Sequence, residues 1–320
     1  MGAGVTFILS DDESRSFFLE MTDTNKDRWV YLSLGVSYGK THEELSVLQT
    51  MLRQGRPDWL LVDSYAADQD YFRALKSCLR EGGAADPEAA QHVETGTDAR
   101  KGRCRIACVD DLAEFDPEVD LVVNYAPDAP SLRSFYRKRK RRLLGASYAP
   151  LRAQFCGLTP QVREEVRTVL ISTGGTDPLH MAEEIGALVE DLGCEPAFLA
   201  PGHGYVGKVA QLMQSCDLAI SAGGTTLYEL CAAGVPTLAW SMADNQEIFA
   251  GKMAAAGACC YAGDVRGEED HRQVLLQIKE WIRIRDGGKE GKALRAQEAA
   301  RMHALTDGRG AARIAGSLLH

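Results

Sequence analysis

The stretch Asp217-Leu-Ala-Ile-Ser-Ala-Gly-Gly-Thr-Thr-Leu-Tyr-Glu-Leu-Cys-Ala-Ala-Gly-Val-Pro236 leaves few options for the fold. Leu218 to Ser221 is a short apolar run, as a parallel strand buried on both faces requires. Gly223 and Gly224 allow a tight turn and leave no side chain between the backbone and a ligand. Thr225 or Thr226 is expected to cap a helix that stops at Gly234, with Leu227, Leu230 and Cys231 at helical spacing. Pro236 opens the next strand, Thr237 to Trp240. A helix that starts in this way aims free N–H groups and a positive dipole end at whatever lies above the turn, which suits phosphate. Glu229 follows one turn later, where a carboxylate can accept hydrogen bonds from sugar hydroxyls. Together they read as a nucleotide site; the plainer reading is an ordinary strand–helix turn.

At 320 residues the chain exceeds what one compact core usually serves, so two domains are expected. A net charge of −9 argues against a general nucleic-acid binder. No run approaches the ~20 apolar residues of a membrane span, and the N-terminus has no signal-peptide pattern. The nine cysteines form no Cys-x-x-Cys pair, which fits reduced thiols in a cytoplasmic protein better than a disulfide framework or a zinc site. Nothing matches a Ser-His-Asp series, a Walker A loop or a His-Glu-x-x-His site. No metal and no cofactor are expected.

Strand-like runs alternate with helical patterns throughout, which implies parallel sheets. In the first half they fall at Val5–Leu9, Trp29–Leu32, Trp59–Asp63, Ile106–Val109 and Leu121–Asn124. In the second they fall at Thr168–Ser172, Pro196–Leu199, Leu218–Ser221, Thr237–Trp240 and Ala258–Tyr261. Thr41-His-Glu-Glu44 reads as a capping box, and Asp177-Pro178 as the cap and first residue of a helix with Met181, Ile185, Leu188 and Leu192 on its core face. Gly82–Gly102 reads as a polar surface insertion, and the chain from about Asp270 as amphipathic helix. The strand pattern lapses over Ala149–Val166. The expected division is therefore residues 1–155 and 156–320, two doubly wound Rossmann-like α/β domains facing a central cleft, with the strand C-termini lining it.

The candidates sit at those strand ends. Ser172-Thr-Gly-Gly-Thr-Asp-Pro178 is a second Gly-Gly turn; Gly174 and Gly175 with Gly223, Gly224, Thr225 and Thr226 would make a diphosphate-sized anion site. Asp177 is a sugar-side candidate as well as a plain cap. Asp63-Ser-Tyr65 and Asp110-Asp111 end strands where carboxylates orient a sugar, act as a base or cap helices. Asn245 and Gln246 offer amides to sugar or phosphate oxygens, or cap the next helix. Among the histidines only His203, in a flexible loop, has a setting that suits catalysis; His180 is expected inside a helix's first turn. The basic run Arg137-Lys-Arg-Lys-Arg-Arg142 reads as a solvated face or linker segment, with nucleic-acid binding as the sharper alternative.

These residues carry a resemblance. Asp217–Glu229 with Asn245-Gln246 looks like the nucleotide-sugar motif of GT-B enzymes of the MurG type. Within that group the chain resembles the UDP-2,4-diacetamido-2,4,6-trideoxy-β-L-altropyranose hydrolases of pseudaminic acid biosynthesis. The matching segments are Gly4-Val-Thr-Phe7, Leu61-Val-Asp-Ser-Tyr65, Val109-Asp-Asp-Leu112, Leu144-Gly-Ala-Ser-Tyr-Ala-Pro-Leu-Arg152 with Phe155, Ile171–Pro178 and the Gly223 region. The resemblance implies hydrolysis of the anomeric C–O bond, releasing UDP and free 2,4-diacetamido-2,4,6-trideoxy-L-altrose. It implies UDP at Gly174, Gly175, Gly223–Thr226 and Glu229, the sugar near Asp177, Asn245 and Gln246, and catalytic roles for Asp63 and Tyr65. The partner is then a UDP-sugar, with no nucleic acid and no membrane, and the protein a monomer. The family opens with a strand and a Gly-x-Gly-His loop whose histidine is the expected base. Gly2-Ala-Gly-Val5 aligns with the strand after that unit, so roughly 25–30 residues and a central strand are expected to be missing, leaving neighbouring strands unpaired. A truncated start and a degenerate member both stay open. On this reading the chain binds UDP and hydrolyses the sugar nucleotide slowly or not at all. A UDP-sugar glycosyltransferase and a non-catalytic nucleotide-sugar-binding remnant are the alternatives.

Overall fold

The computed structural model describes residues 4–12, 30–37, 39–55, 57–81, 104–139, 141–202 and 208–319. Expectations placed on Trp29, Gly82–Gly102, His92, His203 and His320 lie outside these residues. The chain divides into two compact units, Met1–Asn124 with Arg133–Leu143 and Tyr125–Leu132 with Leu144–His320.

The second unit is a doubly wound sheet of β7 (Thr168–Ser172), β8 (Glu195–Leu199), β9 (Leu218–Ala222), β10 (Thr237–Ser241) and β11 (Cys260–Asp264), in the order β11-β10-β9-β7-β8. All four pairings are parallel. The chain runs outward from β7 to β8, then returns to place β9 on the other side of β7. The strand order therefore reverses between β7 and β9, the position where such sheets take ligands. Their carbonyl ends are level, Ser172 opposite Ser221. Alternate residues fill the two faces. Leu170, Ala219 and Ala239 pack on one side, and Ile171, Ile220 and Trp240 on the other, all fully buried. Asp217 ties the opposite end of β9 to its neighbour by accepting the Arg167 and Thr168 amides at 2.9 and 3.0 Å and pairing with Arg163 at 3.1 Å.

The first unit holds β1 (Thr6–Leu9) and β2 (Val30–Ser33) as a parallel pair. A separate sheet runs β3 (Trp59–Val62), β4 (Arg105–Val109), β5 (Leu121–Asn124), β6 (Arg141–Leu144). Among the described residues no strand joins the two sheets. Among the described residues β1 and β3 each have an unpaired edge, and Leu61 in the middle of β3 is 44% exposed. The carbonyl ends of both sheets meet at helix α1 (Thr41–Gly55). Its Thr41 donates to the Ala66 carbonyl at 3.3 Å. Its Glu44 accepts from Ser10 at 3.2 Å and from Tyr71 at 3.0 Å. Thr41 and Glu44 thus hold these ends together instead of forming the expected capping box. Tyr71 belongs to α2 (Gln69–Glu81), which packs on α1.

Strand β6 was not anticipated, because its residues are the end of the basic run. Arg141 and Arg105 stack on Trp59, with guanidinium carbons 5.4 and 4.1 Å from the ring centre. Arg139 pairs with Asp116 at 2.9 Å, and Arg142 donates to the Arg133 and Tyr136 carbonyls. This run is built into the unit by its arginines. The remaining helices are α3 (Met181–Asp191), α4 (Val209–Ser215), α5 (Thr226–Ala233), α6 (Asp244–Ala255), α7 (Glu268–Asp286), α8 (Gly288–Leu305) and α9 (Gly310–Leu319). The last three are the helical tail expected from the sequence. Strand β11 lies two to three residues later than expected. Among the described residues no helix is long and apolar enough to cross a membrane. All nine cysteines are free thiols.

Candidate functional site

The two Gly-Gly turns stand side by side at the strand-order reversal of the second unit. The turn after β9 leads directly into α5, with Thr225 at the helix N-cap. Gly223 donates its amide to the Trp240 carbonyl at 2.7 Å and Gly224 to the Ala222 carbonyl at 2.8 Å. Leu227 and Tyr228 donate to Gly224 and Thr225 within the first turn. Among the described residues this leaves the Thr225 and Thr226 amides without a backbone partner, at the positive end of the helix dipole. Neither threonine caps the helix through its side chain, contrary to expectation; Thr225 is itself helical in backbone conformation and exposed. Gly223 is required by close approach: a Cβ there would lie 2.7 Å from the Gln246 carbonyl oxygen of α6. A Cβ on Gly224 would meet nothing within 4 Å, so its backbone faces open space.

The turn after β7 is built differently. Gly174 has φ of 82°, which favours glycine. The helix begins only at Met181, not at Asp177-Pro178, and His180 sits before it in the left-handed region at φ 55°. Asp177 still satisfies the helix start, its Oδ1 accepting the Met181 amide and its Oδ2 the Ala182 amide, both at 2.9 Å. This N-terminus therefore already carries a carboxylate. The nearby Thr173 hydroxyl is buried without a hydrogen-bond partner among the described residues.

Glu229 lies on α5 and is joined by a residue whose role the sequence did not disclose. Arg152 donates to Glu229 Oε1 from Nε at 3.2 Å and from Nη2 at 2.8 Å. Burial raises the Glu229 carboxyl above its ordinary range, and the Arg152 charge opposes that rise. The pair borders a cavity of about 180 Å³ that Thr225, Tyr228, Tyr125, Ala149, Pro150 and Leu151 also line. The Tyr228 hydroxyl donates to the Tyr125 carbonyl at 2.7 Å, which fixes that wall. Asn245 and Gln246 fall in the first turn of α6; Asn245 is exposed, and Gln246 accepts the Met242 amide at 3.0 Å.

In the first unit, carboxylates collect at the strand ends. Asp63 follows β3 and is open to solvent on one side. The domain behind it, and then the Asp111 charge, push its carboxyl above the ordinary range. Tyr65, 72% exposed, donates to Asp111 at 2.9 Å. Asp110 accepts from the Tyr136 hydroxyl at 2.8 Å and the Ala113 amide at 2.9 Å, and Asn124 donates to Tyr136 at 3.1 Å. Burial raises Asp110 against those hydrogen bonds. Tyr136 and Asn124 were missed as members of this cluster; Asn124, a polar residue ending a fully buried strand, was the available signal. Of the other histidines, His271 meets Glu184 at 2.6 Å and His303 meets the Ala232 carbonyl at 3.0 Å, both holding helices. Among the described residues no group of three or more His, Cys, Asp or Glu side chains is placed to hold a metal ion.

The resemblance carried by the motifs is borne out by comparison with known proteins. The chain is 25% identical over 229 residues to the Helicobacter pylori (strain ATCC 700392 / 26695) pseudaminic acid cytidylyltransferase and UDP-2,4-diacetamido-2,4,6-trideoxy-β-L-altropyranose hydrolase. The match covers 68% of this chain and 40% of that protein, so the chain spans well under half the length of this relative. No family model matches. Among solved structures, the spinosyn rhamnosyltransferase SpnG is similar at a TM-score of 0.53 and 18% identity, covering 87% of this chain and 77% of that one. The glycosyltransferase of kitacinnamycin gives 0.53 at 14%, covering 98% and 91%. The UDP-GlcNAc 2-epimerase from Methanocaldococcus jannaschii gives 0.52 at 15%, covering 99% of each chain. These likenesses show the fold, the α/β GT-B type of glycosyltransferases and epimerases.

Proposed function

We propose that the chain is a nucleotide-sugar hydrolase of the cytoplasm. It binds UDP-2,4-diacetamido-2,4,6-trideoxy-β-L-altropyranose and cleaves the anomeric C–O bond, releasing UDP and 2,4-diacetamido-2,4,6-trideoxy-L-altrose for pseudaminic acid biosynthesis. The observation that carries the nucleotide reading is the conjunction at α5: Thr225 and Thr226 amides without a backbone partner among the described residues, a bare Gly224, and Glu229 bordering the cavity on the next turn. The helix start stabilises the charge that grows on departing UDP, and Glu229 accepts from ribose hydroxyls. Gly174 and Gly175 leave room for the second phosphate, and Asp177, Asn245 and Gln246 flank the sugar. Among the described residues no histidine follows a strand of the first unit. We assign the catalytic role in the first unit to Asp63, which follows β3 with a raised carboxyl, with Tyr65 holding Asp111 beside it. A carboxyl raised above its usual range is a stronger base once ionised.

Product analysis tests the reading. Free sugar with UDP, formed without an acceptor and unaffected by EDTA, is expected; transfer only when an acceptor is supplied would make the chain a glycosyltransferase. UDP binding with no turnover at all would identify a binding protein. Glu229→Ala is expected to weaken UDP by about 1–3 kcal/mol, the scale of lost charged hydrogen bonds. Unchanged UDP affinity by calorimetry would remove the nucleotide from this site.

A further inference from the structure

Glu229 is an awkward group to find beside a phosphate site. Its side chain is 16% exposed, and a carboxylate repels the anion that the neighbouring amides attract. Arg152 resolves both difficulties. Its Nε and Nη2 converge on one oxygen, Oε1, at 3.2 and 2.8 Å, and Oε2 has no hydrogen-bond partner among the described residues. Arg152 is itself steadied from below, its guanidinium carbon 5.5 Å from the ring centre of Phe155, which is wholly buried. The free Oε2 and the cavity beside it leave one acceptor in a space smaller than the ~300 Å³ at which whole-ligand sites begin. Such a space suits one ring of a ligand.

We infer that Arg152 is the positioning residue of this site: it grips Oε1 of Glu229 and turns Oε2 to the cavity, so that the site takes a ribonucleotide in preference to its 2′-deoxy counterpart. The inference rests on the reading above that Glu229 faces a ribose. A carboxylate oxygen held in one place accepts hydroxyl hydrogen bonds at a fixed point, whereas an ungripped Glu229 would rotate among rotamers and lose that advantage. Arg152 also cancels the charge of Glu229 toward the phosphates, which the carboxylate alone could not do.

The test is calorimetry on the full chain with UDP and with 2′-deoxy-UDP. The wild type should prefer UDP by about tenfold or more, the worth of one or two hydrogen bonds to a charged group. Arg152→Met should cut that preference to within about threefold, chiefly by weakening UDP, and Arg152→Lys should keep part of it. A purely structural role would weaken both nucleotides equally in Arg152→Met, and that result, or an unchanged preference, overturns the inference. Glu229→Gln separates the two layers. If it abolishes the preference while Arg152→Met does not, Arg152 is not the positioning residue and the ribose reading stands. If Glu229→Gln leaves the preference intact, the ribose does not meet Glu229 and both fall.

Discussion

In the first unit β3 and β4 end on Asp63 and on Asp110-Asp111; in the second β7 and β9 end on Gly174-Gly175 and Gly223-Gly224. Both sets lie at the carbonyl ends of parallel strands, yet their electrostatics are opposite. The first gathers carboxylates, and its phenols donate to them: Tyr65 to Asp111, Tyr136 to Asp110. The second exposes backbone, with two amides free among the described residues, and its carboxylate Glu229 is matched by Arg152. The same topology thus builds one end suited to moving protons and one suited to holding an anion. Within the second unit the contrast recurs on a smaller scale. Asp177 fills the N-terminus of α3, and among the described residues no side chain caps that of α5.

The largest expected effect tests the bare end. Gly223→Val puts side-chain atoms against the Gln246 carbonyl oxygen, already 2.7 Å from the site of a Cβ, and against Ala250 at 3.0 Å. Both belong to packed α6, so the turn must move. A loss of about 1–3 kcal/mol in chemical denaturation is expected, together with loss of UDP binding. Gly224→Ala, which meets nothing within 4 Å, should leave stability nearly unchanged while obstructing UDP. If Gly224→Ala leaves UDP affinity intact, the open space above α5 is not where the phosphates lie.

Next comes the filled helix start. Asp177→Ala frees two amides of α3 and should cost about 0.5–2 kcal/mol of stability, as lost caps do. UDP affinity should hold or rise, because a carboxylate leaves the neighbourhood of the phosphates. A marked fall in UDP affinity at unchanged stability would mean that the two helix starts are alike after all, and that Asp177 contacts the nucleotide rather than only flanking the sugar.

This distinction was half visible in the sequence. The strands of the second unit were legible because burial on both faces demands unbroken apolar runs, and Thr168–Ser172 matches residue for residue. Gly-Gly after a strand was legible as an open turn. That Arg152 reaches Glu229 was not, since their separation of 77 residues closes only in the fold. Strand β6 was hidden by its arginines, which cover Trp59 and bond carbonyls in ways that charge patterning does not reveal. The capping box at Thr41–Glu44 fits a helix start, but Ser10, Tyr71 and Ala66 offered those two side chains better partners. Local spacing proposes such bonds, and tertiary neighbours decide them.

The smallest expected effect concerns the acidic end, and its sign is informative. The Asp63 carboxyl is raised by burial first and by Asp111 second, and it has no hydrogen-bond partner among the described residues. A carboxyl raised on folding binds its proton more tightly in the folded chain than in the unfolded one. Stability therefore falls as pH rises from the ordinary value of 3.8 through the raised one, and the penalty is complete once the pH has passed the raised value. Asp63→Asn removes the charge and should raise the midpoint of thermal unfolding slightly at pH 7, with the gain gone below pH 3.8. Asp307 in the second unit gives the opposite control. Its Arg313 partner lowers it to about 2, so its contribution is present above 3.8 and is lost as pH falls toward 2. The surface setting of that pair keeps the contribution small. Should Asp63→Asn lose activity while gaining stability only at neutral pH, the crowded carboxylates of the first unit are strained because the reaction needs a base there. Should the variant be less stable at pH 7, Asp63 is a structural acceptor, and the contrast between an acidic and a bare strand end loses its catalytic meaning.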